Sequence, residues 1–170
     1  MQDILIRDER PGDEPAIRGI TLAAFRDHPH SQQTEHLIVD ALRRAGALSV
    51  SLVAEQAGQV VGHVAFSPVA VSDRASGWYG LGPLSVLPAR QRLGIGQALV
   101  RAGLDRLRGA GANGCVLVGE SAYYARFGFA HDPALSYPGI PQEYFLALPF
   151  GPGRARGEVS YHPAFSVASP

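Results

Sequence analysis

Between Leu84 and Leu99 the chain brings together two kinds of group that attract an anion: backbone amides bared by glycine, and guanidinium charges. The run Leu84-Ser85-Val86-Leu87-Pro88-Ala89-Arg90-Gln91-Arg92-Leu93-Gly94-Ile95-Gly96-Gln97-Ala98-Leu99 reads as a strand end, a turn at Pro88 and a helix opening at about Gly94. The first N–H groups of a helix have no partner within it and lie at the positive end of its dipole. Gly94 and Gly96 remove side chains where a phosphate would approach the backbone, and Arg90 and Arg92 add full charges nearby. A second run, Gly109, Gly111 and Gly114, spells G-x-G-x-x-G. It follows a helix and opens a strand, the reverse of a dinucleotide fingerprint, so it reads as a connecting loop.

Other reactive side chains are sparse. Cys115 stands beside the apolar Val116-Leu117-Val118, where a thiol is inert packing. The six histidines (28, 30, 36, 63, 131, 162) have no metal spacing; His28-x-His30 reads as a turn and His63 as a strand residue. No metal is expected.

The elements that must carry these groups follow from periodicity. Ile4 and Ile6 alternate with polar neighbours, a short strand over residues 3–8. Pro11-Gly12-Asp13 opens a helix with the stripe Ile17, Ile20, Thr21, Ala24. Ser31 caps a second helix that buries Leu37, Ile38, Ala41, Leu42 and Ala45 and stops at Gly46. Residues 49–55 and Val60 to Val71 form an antiparallel hairpin about the turn at 56–59. A strand from Trp78 to about Val86 leads into the glycine-bearing loop and a helix with the stripe Ile95, Ala98, Leu99, Ala102. Cys115-Val116-Leu117-Val118 is a strand buried on both faces, followed by a short helix from Ser121 to Phe127 and a strand from Phe129. The order is β-α-α-β-β-β-α-β-α-β. The crossover around residues 80–118 makes its two strands parallel neighbours. Residues 132–170, rich in Pro and Gly, read as edge strands and loops.

Composition narrows the function. A chain of 170 residues, 46% hydrophobic, fits one domain with its own core. Zero net formal charge excludes the basic excess of a nucleic-acid binder. All fifteen basic residues are Arg, which excludes a Walker A loop, since that needs its Lys. One cysteine, no leader-like N-terminus and no apolar run near a membrane span in length point to the cytoplasm, away from membranes.

Gln91-Arg92-Leu93-Gly94-Ile95-Gly96 resembles the Q/R-x-x-G-x-G/A signature of the GNAT superfamily of N-acetyltransferases, with Leu84, Val86 and Pro88 at the usual offsets. Tyr124 to Phe129 resembles that family's Y-x-x-x-G-F ending. The pattern covers roughly residues 3–130 and is specific between 80 and 129. The ending Gly157 to Phe165 is similar to that of a bacterial subfamily of predicted acetyltransferases. The resemblance implies an α/β GNAT fold: a mixed, mostly antiparallel sheet with helices on both faces and splayed parallel fourth and fifth strands, as a single domain over 1–170. It implies acetyl-CoA as co-substrate, a primary amine as acceptor, and direct transfer in a ternary complex. Gln91, Arg92, Leu93, Gly94, Ile95, Gly96 and Gln97 would hold the pyrophosphate, and Leu84, Ser85 and Val86 would pair with the pantetheine arm. The family's polar residue at the end of the fifth strand, often Asn, has no match in Gly119-Glu120-Ser121, and Ser121 would bond the pantetheine in its place. A backbone N–H at Val86 or a neighbour would meet the thioester oxygen, where Gly80-Leu81-Gly82-Pro83 forms a bulge that opens the strand. Arg92 departs from the glycine many members have.

Tyr124 would donate to the departing thiolate as general acid, with Tyr123 as the competing assignment. An alkylamine with a pKa near 10 needs a base. The fourth strand has no carboxylate for this, and Glu120 is the first candidate, with Glu55 and Glu35 more remote. The amine would enter near residues 25–37 and the C-terminal segment. The acceptor is a small molecule or peptide, and the protein a monomer or homodimer. Two rivals are a non-catalytic acyl-CoA sensor, which keeps the loop and ignores Tyr124, and a nucleotide-binding domain, which would bind ATP or NAD.

Overall fold

The computed structural model describes residues 3–167. The chain opens with β1 (Ile4–Asp8), α1 (Glu14–Phe25) and α2 (Glu35–Arg44). β2 (Val50–Gln56), β3 (Gln59–Val71) and β4 (Trp78–Val86) follow as a meander, then α3 (Ile95–Gly109), β5 (Gly114–Val118) and α4 (Ser121–Tyr124). β6 (Ala130–His131), β7 (Leu135–Ser136), β8 (Phe145–Pro149) and β9 (Gly157–Tyr161) complete the sheet. Its order is β1-β2-β3-β4-β5-β8-β6, with β9 paired to the far end of β3 and β7 beside β9. β4–β5 and β7–β9 are parallel and the other pairs antiparallel. No helix among the described residues is long and apolar enough to cross a membrane.

Two boundaries differ from the sequence reading. α2 starts at Glu35 with Thr34 before it, not at Ser31. The Ser31 hydroxyl is already committed, donating to the Glu35 carboxylate at 2.7 Å and accepting from the Gln33 N–H. The tail is also more central than edge strands. β8 lies between β5 and β6, pairing Gly114–Val118 along its whole length, and its Phe145, Leu146 and Ala147 are buried.

α3 packs its Leu99, Val100, Leu104 and Leu107 on one face of the sheet, against Leu52, Val64, Phe66, Leu81 and Leu117. Gly103 of α3 sits so close to the Phe66 ring that an added Cβ would overlap it, and that ring is fully buried. Gly103→Ala is therefore expected to lower unfolding free energy by about 1–3 kcal/mol, the usual cost of overpacking, read as a fall in the denaturant midpoint. On the opposite face α1 lies over β3 and β4 with α2 packed beside it, and Ile17, Val39 and Val53 are in contact. A further cluster there joins Trp78, Val116, Phe145 and Val159.

Candidate active site

β4 has two edges, and the one toward β3 is paired along Tyr79–Val86 except at Gly82-Pro83. Against β3 it aligns Leu84 with Val64, Ser85 with His63 and Val86 with Gly62. The Leu87 N–H donates to the Val61 carbonyl at 2.9 Å. Alternation along an antiparallel ladder then turns the backbone groups of Ser85 toward β3 and those of Leu84 and Val86 away from it. On the other edge β4 meets β5 only at Trp78↔Gly114, Tyr79↔Cys115 and Gly80↔Val116. Beyond Gly80 the strands separate, and Leu84 and Val86 face the gap. The local cause lies in β4. Its register against β3 jumps from Val64↔Leu84 to Phe66↔Leu81, which places one extra residue at Gly82-Pro83. Gly82 has φ 141°, and Pro83 brings no N–H, so the ladder is interrupted there as in a bulge.

The start of α3 lies at the open end of this gap. Gly94 precedes it with φ 87°, a left-handed conformation that favours glycine. Ala98 is the first residue whose N–H returns to the Gly94 carbonyl, so the amides of Ile95, Gly96 and Gln97 have no partner within the helix. A Cβ on Gly96 would stand 3.3 Å from the Tyr123 hydroxyl, 3.8 Å from Val86 and 3.9 Å from Leu84, so the bare glycine leaves room between helix start and strand edge. Arg92 takes φ 66°, which explains why glycine is common at that position in sequences of this pattern. Gln91 does something the sequence did not reveal. Its side-chain amide donates to the Val86 carbonyl at 3.0 Å and ties the loop to the strand. Leu93 is 59% exposed at the loop tip, whereas Ile95 is buried and anchors the helix start against Gly62.

The far wall is built from the residues after β5. The Tyr124 ring is half-buried, edge-to-face with Tyr123 at 4.9 Å and packed near Phe127 and Phe129. It lies across Gly119, where an added Cβ would be 2.6 Å from its Cε2. Burial, with a smaller push from Tyr123, raises its phenol to about 12. Its hydroxyl has no hydrogen-bond partner among the described residues. Tyr123 points the other way, with its hydroxyl at Gly96 and the Arg126 guanidinium 4.5 Å from its ring. The two tyrosines thus divide the wall: Tyr123 stands at the helix start, Tyr124 deeper in. Glu120 and Ser121 are exposed. The Glu120 carbonyl accepts from the Tyr123 and Tyr124 amides, while its carboxylate has no partner among the described residues. Arg126, whose Nε donates to the Tyr123 carbonyl at 2.8 Å, and Arg101, 5.0 Å from the Phe127 ring, are the cations sequence reasoning missed here. The signal was present only as Arg126, a variable position inside the second motif, and Arg101, little more than a turn beyond the first. Glu35 and Glu55 take part elsewhere, in bonds to Ser31 and Arg7.

Under α1 and α2 a polar chain runs across the sheet from the end of β1 to β3, where His63 is the ladder partner of Ser85. Arg43 grips Glu9 through two hydrogen bonds of 2.9 and 2.8 Å, the Ser51 hydroxyl donates to Glu9 at 2.7 Å, and Ser51 meets His63 Nε2 at 2.8 Å. Burial alone would raise the Glu9 carboxyl, but the Arg43 and Ser51 hydrogen bonds hold it below its usual range. His63 is fully buried, its Nδ1 has no partner, and burial brings its pKa down to about 4. Cys115 is also fully buried, and burial pushes its thiol far up, so it is no nucleophile.

The sequence and the fold both match known proteins. The family model described as acetyltransferase (GNAT) family matches residues 15–129. The Escherichia coli K12 protein described as uncharacterized N-acetyltransferase YhbS is 38% identical over 146 residues, covering 83% of this chain and 84% of that one. Among solved structures, a GNAT family acetyltransferase from Brucella melitensis in complex with acetyl-CoA is 55% identical with a TM-score of 0.85, covering 97% of this chain and 99% of that chain. The Escherichia coli YhbS structure in complex with CoA is 34% identical with a TM-score of 0.87, over 99% and 95% of the two chains.

Proposed function

The chain belongs to the acetyltransferase (GNAT) family, and from that premise we propose that it transfers the acetyl group of acetyl-CoA directly to a primary amine within a ternary complex. The observation that carries this reading is the gap between β4 and β5, with the Leu84 and Val86 backbone turned into it and the bare start of α3 at its mouth. The residues fit the co-substrate. Three unpartnered amides, Gly96 without a side chain and the Arg92 charge suit a pyrophosphate. The free edge of β4 suits an extended amide-bearing arm, added like a strand. The complexes of the Brucella relative with acetyl-CoA and of the Escherichia relative with CoA support the same ligand here.

Acetyl-CoA supplies an activated acyl group, whose C–S bond breaks as a new N–C bond forms. The rest falls to this chain. Residues 91–97 hold the phosphates, and the outward-turned backbone of Leu84 and Val86 aligns the arm with Ser121 nearby; Ser85, expected beside them, instead faces β3 with its hydroxyl buried 3.4 Å from that of Thr21. An amide of β4 at Val86 or a neighbour donates to the thioester oxygen. Tyr124 donates to the departing sulfur. A thiol has a pKa of roughly 8.5, so a phenol near 12 is the weaker acid, and Tyr124 stabilises the thiolate by a hydrogen bond more than by full transfer. Glu120 or water takes the amine proton. Residues 1–170 act as one catalytic unit, since β8 from the tail completes the sheet beside β5.

Calorimetric titration tests the donor site. Acetyl-CoA is expected to bind the native protein in the micromolar range. Gly94→Glu adds a side chain at a left-handed position and a negative charge where phosphates would lie, and is expected to weaken binding about a hundred-fold or more. Gly94→Asn, which tolerates that conformation and carries no charge, should stay within a few-fold. A folded native protein that ignores acetyl-CoA and CoA would overturn the reading.

A further inference from the structure

We propose that Tyr161 is the stop at the closed end of the β4–β5 gap and sets the longest acyl chain the site admits. The inference rests on the acyl-CoA reading above. An arm anchored at the start of α3 and paired along Val86 and Leu84 advances toward Gly80, because β4 runs from Trp78 to Val86. A chain lengthened beyond acetyl grows in that direction. It meets the last ladder pair, Gly80↔Val116, where the two strands close.

Tyr161, at the end of β9, covers that pair. β9 reaches it by pairing Val69 with Tyr161 along the far end of β3. The ring lies against Gly80, so that a Cβ there would stand 2.6 Å from Cε2 and 3.2 Å from Cδ2. The ring cannot swing away easily, since Tyr137 and Phe165 each hold it at 4.9 Å between centroids. Its hydroxyl is buried without a partner. So is the hydroxyl of Ser67, which pairs directly with Gly80 from β3. Burial first, then the Cys115 thiol and the Tyr137 phenol, pushes the Tyr161 phenol well up, so that hydroxyl stays protonated and unpaired. Methylene groups arriving here would meet a braced ring and would shut two unpaired hydroxyls further from water. Size and polarity therefore act in the same direction, against long apolar chains.

The test is a ladder of CoA, acetyl-CoA, butyryl-CoA and hexanoyl-CoA, titrated calorimetrically into the native protein, Tyr161→Phe, Tyr161→Leu and Tyr161→Ala. The native protein is expected to lose about ten-fold or more in affinity between acetyl-CoA and the first chain that reaches the ring, the scale of a misfitted methylene. Tyr161→Phe keeps most of that loss. Tyr161→Ala recovers it while leaving CoA and acetyl-CoA within about three-fold of the native values, a difference well under one unit of log affinity. Tyr161→Leu, which keeps an apolar filling, recovers part of it and serves if the alanine variant fails to fold. Equal affinity of the native protein for acetyl- and hexanoyl-CoA, or an unchanged ladder in both shortened variants, overturns the inference alone. Failure of the native protein to bind even CoA overturns the acyl-CoA reading and this inference with it.

Discussion

Tyr124→Phe is expected to lower kcat about a hundred-fold or more while leaving the Kd for acetyl-CoA within about three-fold, the range for loss of one positioned donor to developing charge. The substitution removes one hydroxyl and keeps the ring, so the contacts to Tyr123, Phe127 and Phe129 and the cover over Gly119 survive. No hydrogen bond to a described residue is lost, so the change is read in chemistry and not in folding. A phenol near 12 stays protonated through neutral pH, and kcat should show no basic limb from Tyr124 below about pH 10. Tyr123→Phe is the matched control. Its hydroxyl stands at Gly96, so it should move the Kd of acetyl-CoA more than kcat. Stopped-flow or thiol-release kinetics with any amine that is turned over separates the two. Equal kcat for Tyr124→Phe and the native enzyme would leave proton management to the amine and solvent alone.

Acid should weaken the fold through His63 before it reaches the carboxylates. In the unfolded chain an imidazole binds its proton near pH 6.5; in the fold His63 waits until about 4. Between those values the unfolded state holds more protons, so stability falls as pH falls. The contribution is complete above about pH 6.5 and is lost as pH drops through about 4, amounting to about 2 kcal/mol by pH 5 and about 3 kcal/mol at the lower end. Glu9, held below its usual range, adds a loss of the same sign at lower pH. Urea midpoints at pH 7 and pH 5 are the measurement, with His63→Asn beside the native chain. The variant is expected to lose about 2 kcal/mol less over that interval, whatever its starting stability. An identical decline in both would place the acid sensitivity elsewhere.

The donor half of the site was legible because its physics is local. A strand end, Pro88, two glycines and an amphipathic stripe follow one another within sixteen residues, and each constrains the next. The bulge at Gly82-Pro83 was legible for the same reason. What escaped depends on partners distant in sequence. Gly119 is bare because the Tyr124 ring needs its space, a fact that exists only once α4 has folded back. The insertion of β8 beside β5 is chosen by the sheet, and a Pro- and Gly-rich tail gives no periodicity from which to read it. The Glu9, Ser51 and His63 chain draws on three separate strands or their ends. In the sequence only its spacing to Gly128 favours Tyr124 over its neighbour Tyr123; the step of roughly 100° between adjacent helical residues is what sends the two rings to opposite ends of the wall.

A sheet joined across its middle by three residue pairs has a crease. β1 to β4 form one leaf, with α3 resting against it, and β5, β8 and β6 form the other. The two leaves are nevertheless braced on both faces, by α3 against Leu117 and Leu146 on one and by Trp78 with Val116 and Phe145 on the other. An extended arm added along β4 would therefore supply the ladder that β5 withholds beyond Gly80, and the carrier itself would be the missing strand that completes the sheet across its middle.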